Sequence, residues 1–296
     1  MRLGRGGLST ARPRGRLTAL GFAQRCVRRA ARLVGLEQAV VRSLLDYRLS
    51  TVGVAVAGAG VRILHLSDLH ADGIPDGCEA LCRALHSILA DVCVITGDFV
   101  DPSVEDLAQV ELRLRKIVDA IRCPSGIFAV LGNHDPPEVS CLLSRCGVDL
   151  LGIMEVHVEC ATGAVVRLAS EAVDGFRPSK SLLQLSHYAA EYRVQRMLSE
   201  SAPLVFVAHS PDSREEALAR HADYYLCGHT HGGQVCLPGG YPIVTKCASG
   251  REFGSGSWQY KQLRGYTSRG IGVCGQSPRV CCPPEIALHI LAARAS

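Results

Sequence analysis

The stretch VRILHLSDLH, residues 61–70, joins a predicted strand to a pair of candidate metal ligands. Its first six residues form an apolar run that contains only Arg62 and His65 as polar members, which predicts a strand. Asp68 and His70 are two residues apart, so in an extended chain their side chains point to the same side. A carboxylate oxygen and an imidazole nitrogen at one point supply half of a metal site. Because Asp-x-His is frequent by chance, the pair needs further ligands elsewhere.

Short apolar runs and helical patterns alternate along the rest of the chain. Further strands are predicted over residues 92–96, 127–131, 148–151, 156–160, 165–169, 204–208, 224–227 and 286–291. Helices are predicted over residues 76–90, 104–121, 138–145, 188–200 and 213–220. This rhythm indicates an α/β fold with at least partly parallel strands. The glycine- and proline-rich residues 232–283 predict loops and short antiparallel strands.

Basic charge is concentrated at the start of the chain. The 296 residues carry a net charge of +4, but nine arginines precede Glu37, the first acidic residue, so the remainder is net acidic. This distribution argues against a nucleic-acid partner for the folded body. We expect residues 1–50 to be a basic arm, partly disordered and then an amphipathic helix from about Ala23 to Leu49, and residues 51–296 to form the main domain.

The predicted helix of the arm has two interpretations. It binds an anionic membrane surface, or it packs on the domain with its basic side in water. No run of about 18 uncharged apolar residues indicates a membrane span. The fourteen cysteines are scattered without a repeated C-x-x-C pattern, which favours reduced core thiols. We therefore expect a cytoplasmic protein, peripheral on the inner face of the cell membrane if the arm binds lipid. The sequence does not indicate an oligomeric state.

Four more polar clusters follow predicted strands. They are Gly97-Asp98-Phe99-Val100-Asp101, Gly132-Asn133-His134-Asp135, His209-Ser210 and Gly228-His229-Thr230-His231. One such cluster is a common turn signal. Five of them at strand ends instead predict a shared site, because open α/β sheets place their ligands at the carboxyl ends of strands.

The candidate ligands divide into two sets that share one carboxylate. One ion would take Asp68, His70 and His231, the other would take Asn133, His209 and His229, and Asp98 would bridge them. Two ions about 3.5–4 Å apart clamp the attacking and leaving oxygens of a phosphoryl displacement. A water that bridges both ions loses its proton near neutral pH and becomes the nucleophile. Manganese suits this ligand set, with zinc and iron as alternatives.

The order D-x-H, G-D-x-x-D, G-N-H-D, H and G-H-T-H resembles the calcineurin-like metallophosphoesterase superfamily over about residues 61–293. The resemblance implies a four-layer αββα sandwich of two mixed β-sheets with two divalent metal ions at the sheet edges. It implies that His134 faces the substrate as a general acid or hydrogen-bond donor, and that Asp101 orients it. A turn or capping role is the alternative for Asp101. For Asp135, which precedes Pro136 and a predicted helix, capping is favoured.

Segments near the end of the chain narrow the resemblance. GHTHGGQ at 228–234, SRGIG at 268–272 and PPEI at 283–286 are similar to a bacterial branch of membrane-proximal phosphodiesterases. That branch includes chlamydial-type UDP-2,3-diacylglucosamine pyrophosphatases, so the resemblance implies cleavage of this lipid-linked nucleotide in lipid A biosynthesis. The alternatives are a general phosphodiesterase on small nucleotides or glycerophosphodiesters, an exonuclease, and a non-catalytic binding scaffold. The acidic body argues against the exonuclease, and the complete ligand set against the scaffold.

Overall fold

Two six-stranded mixed sheets dominate the computed structural model. It describes residues 43–56, 60–101, 103–104, 106–152, 154–171, 202–245, 247–274 and 278–293. The predicted helix over 188–200 and residues 1–42 of the predicted arm lie outside these ranges.

The first sheet has the strand order β1-β14-β2-β3-β4-β5. Its strands are β1 (Arg48–Val56), β2 (Val61–Leu66), β3 (Val92–Thr96), β4 (Ile127–Val130), β5 (Asp149–Leu150) and β14 (Glu285–Ala293). Strands β2 to β5 are parallel, whereas β14 runs antiparallel to β2. The residues of β3 and β4 are all buried, as expected for parallel strands that are covered on both faces.

The second sheet has the order β12-β13-β9-β8-β7-β6. Its strands are β6 (Val156–Glu159), β7 (Val165–Ser170), β8 (Leu204–Val207), β9 (Tyr224–Cys227), β12 (Gly256–Tyr260) and β13 (Leu263–Thr267). Strands β7, β8, β9 and β13 are parallel. The outer strands β6 and β12 pair antiparallel with β7 and β13. A separate two-stranded hairpin consists of β10 (Cys236–Leu237) and β11 (Tyr241–Pro242).

Three hydrophobic cores separate four layers. The helices that the structure describes are α1 (Glu79–His86), α2 (Leu107–Ala120), α3 (Glu138–Arg145) and α4 (Arg214–Ala219). The first three pack on the outer face of the first sheet, and α4 packs on the outer face of the second. Alternate strand residues such as Ile63 and Val205 fill the core between the sheets. This is the αββα sandwich expected from the resemblance. None of the described helices is long and apolar enough to cross a bilayer.

Most predicted elements are confirmed within a few residues, and β2, β3, β9 and α3 match their predicted bounds. The prediction is wrong at β1. The expected helix extends to Leu49, but Arg48 and Leu49 already belong to this strand, which pairs in parallel with β14. Val52, Val54 and Val56 alternate with exposed residues, the two-residue period of a strand. That signal was present in the sequence.

A chain of buried hydrogen bonds crosses the core between the sheets. The Tyr224 hydroxyl on β9 lies 3.0 Å from His289 Nδ1 on β14. His289 Nε2 lies 3.3 Å from His65 Nδ1, and His65 Nε2 lies 3.0 Å from Thr96 Oγ1. Burial lowers the pKa of His65 to about 3 and the pKa of His289 well below its usual range, so both rings are neutral. Each polar atom of the chain has a partner if Tyr224 donates to His289, His289 donates to His65, and His65 donates to Thr96.

We predict that Tyr224→Phe lowers the free energy of unfolding by about 1–3 kcal/mol, because the buried His289 Nδ1 loses its donor. Urea unfolding followed by circular dichroism measures the effect. Tyr241→Phe is the matched control, since Tyr241 is 72% exposed and loses only a hydroxyl in water. Equal unfolding midpoints for the wild type and Tyr224→Phe would contradict the assigned link.

Candidate metal centre

The seven candidate ligands follow five parallel strands at the same edge of the molecule. They are Asp68 and His70 after β2, Asp98 after β3, Asn133 after β4, His209 after β8, and His229 and His231 after β9. The first three strands belong to one sheet and the last two to the other. The candidate centre therefore spans the junction of the two sheets.

Two glycines allow the ligand loops to approach one another. A Cβ atom on Gly132 would overlap Oδ1 and the backbone nitrogen of Asp98. A Cβ atom on Gly228 would overlap the Ser67 hydroxyl and lie 2.5 Å from Asp68 Oδ2. Only glycine fits at these two points, which explains why glycine precedes Asn133 and His229.

Backbone strain is concentrated in the same loops. Among the described residues, ten non-glycine residues have a positive φ in the left-handed region, and five of them are candidate ligands. These five are Asp68, His70, Asp98, His229 and His231. Residues in such conformations cost about 1–3 kcal/mol each and persist where the surrounding structure fixes them. The concentration of strain supports a functional role for this edge.

The first donor group contains Asp68, His70, Asp98 and His231, whose ligand atoms lie within 4.8 Å of one another and whose side chains are all buried. His70 Nδ1 donates to the Val100 carbonyl at 3.0 Å, which leaves the lone pair of Nε2 directed at Asp98 Oδ2, 3.7 Å away. His231 Nε2 lies 3.4 Å from Asp68 Oδ1.

The second donor group surrounds His209 Nε2. This nitrogen lies 3.1 Å from Asn133 Oδ1, 3.1 Å from His229 Nδ1 and 3.4 Å from Asp98 Oδ2. His209 Nδ1 donates to the Thr96 carbonyl at 2.6 Å, which directs Nε2 toward these three atoms. Asp98 thus belongs to both donor groups.

Burial and charge oppose each other at the two carboxylates. Burial raises the pKa of Asp68 to about 6. Burial also works against the charged form of Asp98, but its hydrogen bond and charge interaction with His209 prevail, and the pKa of Asp98 falls. Burial likewise opposes the charged form of His209, but Asp98 and Asp68 raise its pKa. Positive charge is therefore favoured between the carboxylates.

A divalent cation fits this arrangement. His70 Nε2 is buried and has no hydrogen-bond partner within the described part of the chain. A proton on His209 Nε2 could satisfy only one of the three electron-pair donors around it. Carboxylate oxygens, an amide oxygen and imidazole nitrogens are a donor set that suits divalent transition metals. A cation in each group would satisfy the donors together.

Comparison with known proteins agrees with this geometry. The profile of the calcineurin-like phosphoesterase family matches residues 61–233, the part of the chain that carries all seven candidate ligands. The chain belongs to this family. It is therefore a metal-dependent phosphoester hydrolase, and its described residues include two groups of side chains that could hold divalent metal ions.

Three relatives of this phosphoesterase cover most of its length. A metallophosphoesterase from Bacillus subtilis, YkoQ, is 28% identical over 84% of this chain and 92% of its own. The UDP-2,3-diacylglucosamine pyrophosphatase LpxG from Chlamydia trachomatis is 24% identical over 77% of this chain and 83% of its own. The phosphodiesterase YaeI from Escherichia coli is 24% identical over 78% of this chain and 82% of its own.

Asp135 corrects a sequence prediction for this phosphoesterase. Its side chain does not cap α3, whose N-cap is Pro137 without a side-chain hydrogen bond. Asp135 Oδ1 instead accepts from the backbone N–H groups of Phe99 and Val100, and Oδ2 accepts from Gly132 at 2.8 Å. The carboxylate thus fastens the loop after β3 to the loop after β4. Burial raises its pKa to about 7.

His134 lies at the open side of the centre. Its side chain is 21% exposed, and its Nε2 is 4.0 Å from Asp98 Oδ2. The backbone N–H of His134 donates to Asp98 Oδ1 at 3.0 Å. Asp101 Oδ1 accepts from the backbone N–H and the hydroxyl of Ser103, which is the turn role considered as its alternative. Orientation of His134 by Asp101 stays a prediction.

Sequence reasoning missed two further contacts of the centre. The Ser67 hydroxyl donates to Asp68 Oδ2 at 2.5 Å. Arg279 is buried, donates to the Gly272 carbonyl through Nε at 3.0 Å, and has Nη2 3.5 Å from His231 Nδ1. A serine before the D-x-H motif is a weak signal, and Arg279 is 48 positions after the histidine that it contacts. Only the fold brings Arg279 to this edge.

We predict that Gly132→Ala removes bound divalent metal while the chain remains folded, because the added methyl group displaces Asp98. Plasma emission spectrometry of purified protein measures the metal per chain. Gly152→Ala is the matched control, since no atom beyond the glycine and its two chain neighbours lies within 4 Å of the added Cβ. Wild-type metal content in Gly132→Ala would show that the close approach of the two loops is not needed.

Proposed function

We propose that the enzyme binds two divalent ions and hydrolyses a phosphoester or pyrophosphate between them. Asp68, His70 and His231 would hold one ion, Asn133, His209 and His229 would hold the other, and Asp98 would be available to both. The observation that carries the proposal is the convergence of two donor groups on one shared, buried carboxylate. Manganese is the ion we favour, with zinc and iron as alternatives.

Each group of the proposed site has a separate task. Two bound ions supply a water of lowered pKa and neutralise charge on the phosphoryl oxygens. The carbonyls of Val100 and Thr96 fix the ring tautomers of His70 and His209, so that one nitrogen of each ring is directed inward. His134, at the open side, donates a proton or hydrogen bond to the oxygen that leaves phosphorus.

UDP-2,3-diacylglucosamine is the substrate we propose. Support comes from the similarity to LpxG, which extends over 77% of this chain. Hydrolysis would add water across the P–O–P bond and give UMP and the acylated sugar phosphate. The nine arginines before Glu37 suit a lipid substrate, because basic segments are attracted to anionic membranes. We accordingly propose a cytoplasmic enzyme that is peripheral on the inner face of the membrane, with its role in lipid A biosynthesis.

A general phosphodiesterase is the second candidate. It is supported by YaeI, a named phosphodiesterase with the same 24% identity as LpxG. Small nucleotides and glycerophosphodiesters are the substrates that this alternative predicts.

A paired assay separates the two candidates. With manganese, we expect UMP from UDP-2,3-diacylglucosamine at a higher kcat/KM than the release of nitrophenol from bis-p-nitrophenyl phosphate. Asp98→Ala should abolish both reactions and the bound metal, whereas Asp119→Ala, an exposed carboxylate on α2, should change neither. Turnover of the soluble diester alone would favour the general phosphodiesterase. Metal binding without any hydrolysis would support a scaffold.

We predict that His134→Ala keeps the metal content and lowers kcat about 100- to 10,000-fold, the usual contribution of a positioned proton donor. Metal analysis and steady-state kinetics on the same preparation measure both quantities. His157→Ala is the control, since His157 on β6 is 24% exposed, close to the 21% of His134. Loss of metal in His134→Ala would make His134 a ligand, contrary to its proposed role.

A further inference from the structure

Three apolar side chains share the outer face of the β10–β11 hairpin. Leu237 and Tyr241 are directly opposite in the antiparallel register, so they point to the same side. Ile243 is two residues beyond Tyr241, and its N–H continues the pairing by donating to the Val235 carbonyl. Leu237 is 57% exposed, Tyr241 72% and Ile243 45%. We call these three side chains the hairpin face.

The opposite side of the same hairpin is attached to the metal centre. Cys236 is buried and its thiol lies 3.2 Å from the Gly232 carbonyl. Pro242 packs so closely on Gly233 that no side chain fits there. Gly232 and Gly233 directly follow His231. The hairpin face is therefore fixed to the loop that carries a candidate ligand and is directed away from it.

Two arginines flank the hairpin face. Arg251 is exposed and donates from Nη2 to the Ile243 carbonyl at 3.4 Å. Arg269 Nη2 lies 3.9 Å from the position of a Cβ on Gly240, in the hairpin turn. Neither arginine forms an ion pair with another described residue. Apolar side chains between cations match a bilayer whose headgroups are anionic.

The first residue of β1, Arg48, lies near one of these arginines, Arg269. The backbone N–H of Arg269 donates to the carboxylate of Glu285, the first residue of β14. Glu285 is paired with Arg48, the first residue of β1. Arg48 therefore lies at the edge that carries the hairpin face and the metal centre, and the nine arginines before Glu37 precede it in the sequence. Electrostatic attraction by the arm would present this edge to an anionic surface.

We propose that the hairpin face inserts into an anionic bilayer and holds the metal centre at the membrane surface. The inference extends the proposed function, since it names the surface through which a lipid-linked ester would reach the site. Binding to lipid without substrate tests the surface independently of hydrolysis.

Vesicle sedimentation of the full chain is the first test. The wild type should bind vesicles that contain phosphatidylglycerol and bind phosphatidylcholine alone more weakly. The double variant Leu237→Ser/Tyr241→Ser should lose at least about tenfold in partitioning, because two large apolar side chains no longer enter the bilayer. Leu112→Ser is the control, with a leucine on α2 that is 59% exposed and should bind as the wild type does. All three proteins should hydrolyse bis-p-nitrophenyl phosphate equally.

A fluorescence variant tests insertion without removing the apolar face. The chain has one tryptophan, Trp258, which is 8% exposed. Tyr241→Trp should show a blue shift on anionic vesicles and quenching by brominated acyl chains. Leu112→Trp should show neither change.

Three results would overturn the proposal. They are vesicle binding by the double variant equal to that of the wild type, an unquenched Tyr241→Trp on bound vesicles, and a concentration-dependent dimer in sedimentation that the double variant loses. The last result would assign the hairpin face to a second copy of the chain. A wild type that binds vesicles and cleaves no ester would leave the hairpin face supported and would defeat only the proposed function.

Discussion

The structure of the ligand edge depends on two buried carboxylates whose negative charge must be compensated by positive charge. Asp68 and Asp98 are 0% and 1% exposed, and imidazole nitrogens lie 3.4 to 3.7 Å from their oxygens. Buried charge without compensation costs several kcal/mol per ion, so such a cluster persists only where positive charge enters it. The rise in the pKa of His209 expresses that demand in the chain itself. Bound cations would meet it more completely, because each serves several donors at once.

The two sheets must keep a fixed position relative to each other, because the ligands of the candidate centre come from both. The His229 backbone N–H, from the second sheet, donates to both oxygens of Asp68 in the first sheet at 3.1 Å. Deeper in the core, the hydrogen bond between Tyr224 and His289 joins the same two sheets. Asp135 fastens the neighbouring loops within the first sheet. These three sets of hydrogen bonds therefore hold the ligand edge in place, while the apolar cores set the distance between the layers.

The sequence predicted what local pattern determines. The apolar runs predicted the bounds of β2 and β3. The polar residues after each run predicted a shared site at the carboxyl ends of the strands. Local pattern could not predict contacts between distant residues, such as that of Arg279 with His231. Asp135 was misassigned because Asp before Pro136 has the local signature of a cap, whereas two of its three N–H partners, Phe99 and Val100, are in a loop that only the fold brings close. The start of β1 was missed because the helix predicted for the preceding basic residues was continued to Leu49.

Anomalous diffraction from crystals soaked in manganese tests the central claim most directly. The proposed site predicts two peaks about 3.5–4 Å apart, the spacing of two-metal sites. One peak should lie beside His70 and His231, the other beside Asn133, His209 and His229, and Asp98 should contact both. A single peak, or two peaks of which Asp98 contacts only one, would contradict the account, because its carboxylate would then join no pair of ions.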